Sequence, residues 1–294
     1  MKISVCGSIH QKGDPEELRR LMDFILNLSI DHSVQIEERF YAYLISNGYQ
    51  LGGVGIMSSH TYSYTDLLLS IGGDGTFLRA AKMIAGTPAK IIGINSGRLG
   101  FLANIQPEDF GAIWDDIITG VVNTERRDLL EIVVEKSSGE LISRGVVLNE
   151  VAMIKQDTAS MITLDVQANG DYLASYESDG LLVSTPTGST AYALSVNGPI
   201  IHPTSPVFTV LPIASHMLTM RPIVLPNTVE VTVSVKSRTG TFLLACDGKS
   251  HSHNVGDKIH IKLSDKKLNV LHPLQYSFYE TLRNKLMWGK DFRL

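Results

Sequence analysis

The sequence predicts an open α/β domain followed by a mostly β domain, with a C-terminal helix returning to the first. Three observations predict it. Strand-length apolar runs alternate with helically spaced apolar residues over the first third of the chain; short alternating runs separated by turn dipeptides take over near Leu129; and helical spacing resumes at Phe278. The expected bounds are residues 1–125 with 276–294 for the α/β domain and 126–275 for the β-rich domain. A chain of 294 residues with 44% hydrophobic and 19% charged content can bury cores in both.

Ile3-Ser4-Val5-Cys6 opens as a short strand, and Leu18, Leu21, Ile25 and Leu28 recur at helical spacing after Pro15. A second helix is expected from Val34 to Ser46, stopped by Asn47-Gly48, residues that tolerate a left-handed cap. Leu67-Leu68-Leu69-Ser70-Ile71 is the continuous apolar run of a strand covered on both faces. It feeds into Gly72-Gly73-Asp74-Gly75, after which helix signals run from Phe77 to Ile84. A further strand, Ile91 to Ile94, ends in Asn95-Ser96-Gly97-Arg98-Leu99-Gly100. Two strands ending in glycine-rich loops suit one edge of a Rossmann-like open sheet, where ligands sit.

In the second domain, Leu130 to Val134, Val146 to Ile154 and Ile162 to Val166 read as strands, with Asn169-Gly170 as a hairpin turn. Val229 to Val235, Thr239-Gly240 and Phe242 to Ala245 repeat the hairpin pattern, and Ile259 to Leu263 alternates likewise. Phe278, Leu282, Leu286 and Met287 form the last helix.

A formal net charge of −4 gives no basic footprint for a phosphate backbone, so no nucleic-acid partner is expected. No apolar run approaches the roughly 20 residues of a membrane span. Cys6 and Cys246 are too few for a disulfide framework, and Met1-Lys2 leads into a short apolar stretch that Gly7 ends, without a signal-peptide core. The expectation is a soluble cytoplasmic protein.

The chemistry concentrates in two segments. In Gly72-Gly73-Asp74-Gly75-Thr76 the glycines let the main chain turn tightly and aim N–H groups at a polyphosphate, leaving Asp74 with a free carboxylate. The same residues suit a plain turn in which Asp74 caps the next helix. The Walker A pattern is absent. The second segment is Glu177-Ser178-Asp179-Gly180, an apolar strand, then Ser184 to Ser195 with seven hydroxyl side chains. Hydroxyls suit ribose and adenine edges, with Tyr192 and Ala191 as a wall for a base; they also suit a turn that caps a helix beginning near Thr190. Asn149-Glu150 reads by itself as a polar strand end.

Taken together these motifs resemble the NAD kinase family. The resemblance rests on Gly72 to Leu78, on Gly93 to Leu102, on Asn149-Glu150, on Asp179 to Pro199, and on the tail Leu282 to Trp288, in order and over nearly the whole chain. It implies a kinase that transfers a phosphoryl group from ATP to the 2′-hydroxyl of the adenosine ribose of NAD, giving NADP. Asp74 is implied as proton acceptor, with Gly73 and Gly75 holding the backbone close to phosphates. Asn149 and Glu150 are implied at the ribose, Asp179 with Glu177 at the nicotinamide end, and Thr187, Thr190, Ala191, Tyr192 and Ser195 at the adenosine. Gly72, Thr76, Arg79 and Asn95 are the implied phosphate contacts. Mg²⁺ is implied as an ion carried by ATP, without direct protein ligands, and the assembly as a homotetramer or homodimer.

Glu177 stands where many relatives carry a basic residue, Asn197 where a glycine is common, and Lys249 where relatives often place an amide after Asp247-Gly248. His216, before Arg221-Pro222, suits either a site or an ordinary loop. His251, Ser252 and His253 present alternate histidines without further ligands at zinc spacing, so a solvated turn is expected. Three other functions compete. A diacylglycerol-type lipid kinase shares the Gly-Gly-Asp-Gly turn, but with Asn-Glu almost adjacent to it, and a phosphofructokinase-like enzyme needs further loops. A non-catalytic NAD sensor would keep the pocket.

Overall fold

The computed structural model describes residues 1–11, 13–57, 64–97, 100–157 and 160–289. The chain divides into two compact units: Met1–Arg126 with the chain from Leu268 onward, and Arg127–Lys267.

In the first unit, β1 (Lys2–Gly7), β2 (Ser33–Glu37), β3 (Gly55–Met57), β4 (Leu67–Ile71) and β5 (Lys90–Ile94) form a parallel sheet in the order β3-β2-β1-β4-β5. Every residue of β4 is buried, as its unbroken apolar sequence requires. Helix α1 (Pro15–Asn27) starts at Asp14, whose carboxylate accepts the Glu16 N–H, and buries Leu18, Leu21, Met22 and Ile25 against the sheet core. The helix expected from Val34 begins later. Val34 and Ile36 are buried while Ser33 is exposed and Gln35 half-buried, a period of two that makes this stretch β2. Helix α2 (Glu38–Ser46) follows at Glu37, whose carboxylate accepts the Phe40 N–H at 3.1 Å.

Strands β1, β2 and β3 are laid down in one direction and β4, β5 in the other, so the strand order reverses between β1 and β4. A crevice opens at the carboxyl ends of the two strands flanking such a switch, here Gly7-Ser8 and Ile71-Gly72. The Ser8 N–H donates to the Ile71 carbonyl at 2.8 Å, tying the two ends together.

The second unit is a sandwich. One sheet contains β6 (Val122–Glu135), β7 (Leu141–Val147), β9 (Ile162–Ala168), β10 (Asp171–Ser178), β14 (Val231–Lys236) and the first part of β17 (Lys258–Pro273). The other runs β13-β12-β11-β8-β15-β16, where these are Ile223–Pro226, Val207–Ile213, Gly180–Ser184, Glu150–Lys155, Thr241–Cys246 and Lys249–Asn254. Ile132, Leu164 and Val233 from the first meet Met153, Val183 and Phe242 from the second in one core. Behind the second sheet Ala193, in the short helix α5 (Tyr192–Ser195), packs on Ala152, Leu182 and Leu211. The helix expected near Thr190 is therefore one turn of 3₁₀ helix, Thr187–Thr190, followed by α5.

Asn169 and Gly170 have φ of 51° and 85°, the positive pair of a tight hairpin between β9 and β10. The turn at Thr239-Gly240 does not make a second hairpin. Strand β14 pairs with β9 and β17, whereas β15 pairs with β8 and β16, so this turn passes the chain from one sheet to the other. The run from Val146 to Ile154 is likewise two strands, broken at Leu148-Asn149. The chain re-enters the first unit in β17, where Asn269 and Val270 pair parallel with Lys90 and Ile91, ahead of helix α6 (Phe278–Leu286). Among the described residues no helix is long and apolar enough to cross a membrane.

Candidate active site

At the switch point the loop after β4 turns on Gly72, whose φ is 148° and where an added Cβ would lie 2.6 Å from Thr76 Oγ1. At Gly73 and Gly75 an added Cβ would meet nothing within 4 Å. The protein's own packing therefore does not demand glycine there; the bare backbone faces open space. That space is a cleft of about 1220 Å³ lined by Gly73, Gly75, Thr76, Ser8, His10 and Ser96. Helix α3 (Asp74–Ile84) starts on the same loop, and its first N–H groups have no partner within the helix.

Asp74 neither caps this helix nor carries a free carboxylate. Gly73 is the cap residue, and the Asp74 side chain reaches the loop after β5. Its Oδ1 accepts the N–H groups of Leu102 and Ala103, both at 3.0 Å, and its Oδ2 accepts that of Phe101 at 2.9 Å. Each carboxylate oxygen can accept about two hydrogen bonds, so among the described residues Oδ1 is full and Oδ2 keeps one acceptor position.

Two residues expected at phosphates are bonded into the framework. Asn95, 1% exposed, donates from Nδ2 to the Ala103 carbonyl at 3.1 Å and accepts the Gly97 N–H at 2.6 Å, which fixes the loop that presents amides to Asp74. Arg79 holds Glu37 through Nη1 at 3.1 Å and the Gly7 carbonyl through Nη2 at 2.7 Å. Lys285 on α6 was not anticipated: burial pushes its ammonium pKa down, opposed by the negative charge of Asp74. Its only trace in the sequence is a lone lysine between Leu282 and Leu286. Of the glycine-rich loop, Arg98 and Leu99 lie outside the described residues.

In the second unit, Asn149 and Glu150 sit where β7 gives way to β8. The Asp247 carboxylate accepts the N–H groups of Leu148, Asn149 and Glu150 at 3.0, 2.9 and 3.2 Å. Thr185 closes the other side, its N–H donating to the Asn149 carbonyl at 2.9 Å and its hydroxyl to that of Leu148 at 2.5 Å. Gly188 packs so closely that a Cβ would lie 2.3 Å from the Asn149 carbonyl oxygen. Amid this, the Asn149 side-chain oxygen is buried with no partner among the described residues.

The hydroxyl-rich segment divides by exposure. Thr187 is buried and accepts from Arg127 Nη1 at 3.2 Å, an arginine only 3% exposed that sequence reasoning missed. Thr190 makes one long bond, to the Thr187 carbonyl at 3.4 Å, while Tyr192 and Ser195 are exposed and Ala191 half-buried. Asp179 pairs with Lys155 at 2.6 Å. Glu177 is exposed, its carbonyl accepting the His216 N–H at 3.0 Å. Asn197 has a φ of 59°, so it adopts the left-handed conformation for which a glycine is otherwise suited. Lys249 is exposed at the start of β16.

The histidine stretch is a strand rather than a solvated turn. His251 is exposed, but His253 is buried, with Nδ1 3.2 Å from Asp257 and Nε2 3.3 Å from Arg144. Among the described residues no group of three or more His, Cys, Asp or Glu could hold a metal ion.

Residues 56–122 match the ATP-NAD kinase N-terminal domain, and residues 148–273 the ATP-NAD kinase C-terminal domain. Over the full length of both chains the protein is 38% identical to an NAD kinase of Flavobacterium psychrophilum. The chain belongs to the NAD kinase family. An NAD kinase of Bacteroides fragilis is 41% identical over 78% of each chain. Yeast NADH kinase, solved complexed with NADH, shares the fold with a TM-score of 0.91 at 21% identity, over 100% of this chain and 89% of that one. An Archaeoglobus fulgidus NAD kinase solved in complex with ATP follows at 0.74 and 24%, over 98% and 99%. The two domain matches include the Asp74 loop and the Asn149 and Asp247 cluster, and membership of this family sets aside the lipid-kinase and sugar-kinase readings.

Proposed function

We propose that this protein is an ATP-dependent NAD kinase in which Asp74 accepts the proton of the ribose 2′-hydroxyl of NAD. The observation that carries the reading is the acceptor position that the described residues leave on Asp74 Oδ2, held in direction by three backbone amides. The hydroxyl donates to Oδ2; as its oxygen bonds to the γ-phosphorus, the proton passes to Asp74 and the bond to the departing ADP breaks. A carboxylate is a weak base, but phosphoryl transfer has a loose transition state that needs orientation more than basicity. Gly73, Gly75 and Thr76 would take the donor phosphates in the cleft, with the first turn of α3 offering N–H groups.

Asn149 and Glu150 would hold the ribose, Asn149 supplying its unpartnered oxygen. Asp179 and Glu177 would meet the nicotinamide end, and Thr187, Thr190, Ala191, Tyr192 and Ser195 the adenosine. Mg²⁺ would be carried mainly by the donor phosphates, whose charge it would neutralise when bound. A cytoplasmic homotetramer completes the reading, and light scattering on the purified protein measures the assembly. The test of function is NADP formation from NAD, ATP and Mg²⁺, with diacylglycerol and fructose 6-phosphate offered in parallel. Phosphorylation of NAD alone supports the proposal; NAD binding without NADP would leave a sensor.

A further inference from the structure

Asp247 lies about a hundred residues from the Asn149-Glu150 pair in sequence, yet it governs their backbone. Both of its oxygens are engaged: Oδ2 by the Leu148 N–H at 3.0 Å, and Oδ1 by those of Asn149 at 2.9 Å and Glu150 at 3.2 Å. Its own N–H returns a bond to the Glu150 carbonyl at 3.0 Å. Asp247 and Gly248 have φ of 46° and 78°, so the turn between β15 and β16 is in the left-handed region at both residues, and this aims the carboxylate back across the sheet. Three converging donors fit an acceptor-only group. An Asn at this place would oppose an N–H to an N–H.

We propose that Asp247 is a positioning residue that presets Asn149 and Glu150 for NAD before the substrate arrives. The inference rests on the reading of this pair as the NAD ribose contact. Two features separate presetting from ordinary turn chemistry. The chain leaves β7 and enters β8 across Leu148-Asn149, where an unbroken strand would carry its amides into a ladder. At the interruption the buried Asn149 side-chain oxygen has no partner among the described residues. The backbone groups of 148–150 are satisfied, by Asp247 on one side and Thr185 on the other, so what Asn149 has left to offer is its side-chain oxygen, where a ligand hydroxyl can meet it.

Steady-state kinetics of Asp247→Asn and Asp247→Ala against the parent test this. The expected result is a rise in KM for NAD of at least about tenfold with KM for ATP within about twofold, and loss of the thermal protection that NAD gives the parent. A folded Asp247→Asn protein with parental KM for NAD would overturn the proposal. Should both variants fail to fold, hydrogen exchange on the parent decides: amides of 148–150 already slow without NAD support presetting, and amides that slow only when NAD binds contradict it. A parent that makes no NADP would sink the functional reading instead, and NAD titration calorimetry on parent and Asp247→Asn would then test the clamp by itself.

Discussion

Asp74 and Gly100 are in such close contact that a Cβ on Gly100 would stand 1.9 Å from Asp74 Oδ1. The glycine is what allows the carboxylate to reach the amides of residues 101–103. Gly100→Ala must therefore displace the carboxylate or the loop by around an ångström. Misplacement of that size costs on the order of 100-fold in rate. The expected outcome is a fall of that order in kcat, read by NADP formation, with circular dichroism unchanged.

Glu37 does two jobs at the carboxyl end of β2, accepting the Phe40 N–H at the start of α2 and holding Arg79 at 3.1 Å. Glu37→Ala removes a helix cap and a charge-assisted bond together, so a loss of about 2 kcal/mol is expected in urea unfolding. Combined with Arg79→Ala, the double mutant should lose about 1 kcal/mol less than the sum of the single ones. Strict additivity would show that the pair is not coupled.

His253 is buried and faces Asp257, Arg144 and, through Asp257, Lys136. Burial pushes its pKa below the ordinary 6.5, with the hydrogen bond to Asp257 acting the other way. The unfolded chain therefore binds this proton more readily than the folded one. Stability is full above about pH 6.5 and is lost as pH falls from there toward the folded value. Thermal melts between pH 7.5 and 5 should show a shallower decline for His253→Gln than for the parent; parallel curves would exclude His253 as a contributor.

What was legible in the sequence follows from what leaves a residue-type signature. The β4 run, the glycines after it and the hairpin at Asn169-Gly170 each carry a local physical demand, and they fall where the sequence places them. The β2 strand was hidden because Val34 and Ile36 also fit a helical face, and the transition depends on the Glu37 carboxylate finding the Phe40 N–H. The Thr239-Gly240 turn looks like a hairpin locally, but its flanking strands have partners far away in the chain. In the proposed site, Asp74, Asn149 and Glu150 stand out in the sequence as motif residues. Their restraints do not, because Asp74 and Asp247 are both held by backbone N–H groups, and any residue but proline supplies one. The contacts of Asn95 with Ala103 and Gly97, and of Arg79 with Gly7, are as silent in the sequence, because those partners bind through main-chain atoms.

Asp74→Asn tests most directly whether Asp74 Oδ2 receives the reacting hydroxyl. Oδ1 has two donors to satisfy and Oδ2 only one, so the amide oxygen should remain at the Oδ1 position and the NH₂ should replace the acceptor offered to substrate. Measured side by side, the variant should form NADP with kcat lower by on the order of 1000-fold, while calorimetry gives a Kd for NAD within about threefold of the parent. A variant that keeps kcat within tenfold of the parent would contradict the account, because a carboxamide cannot take the proton.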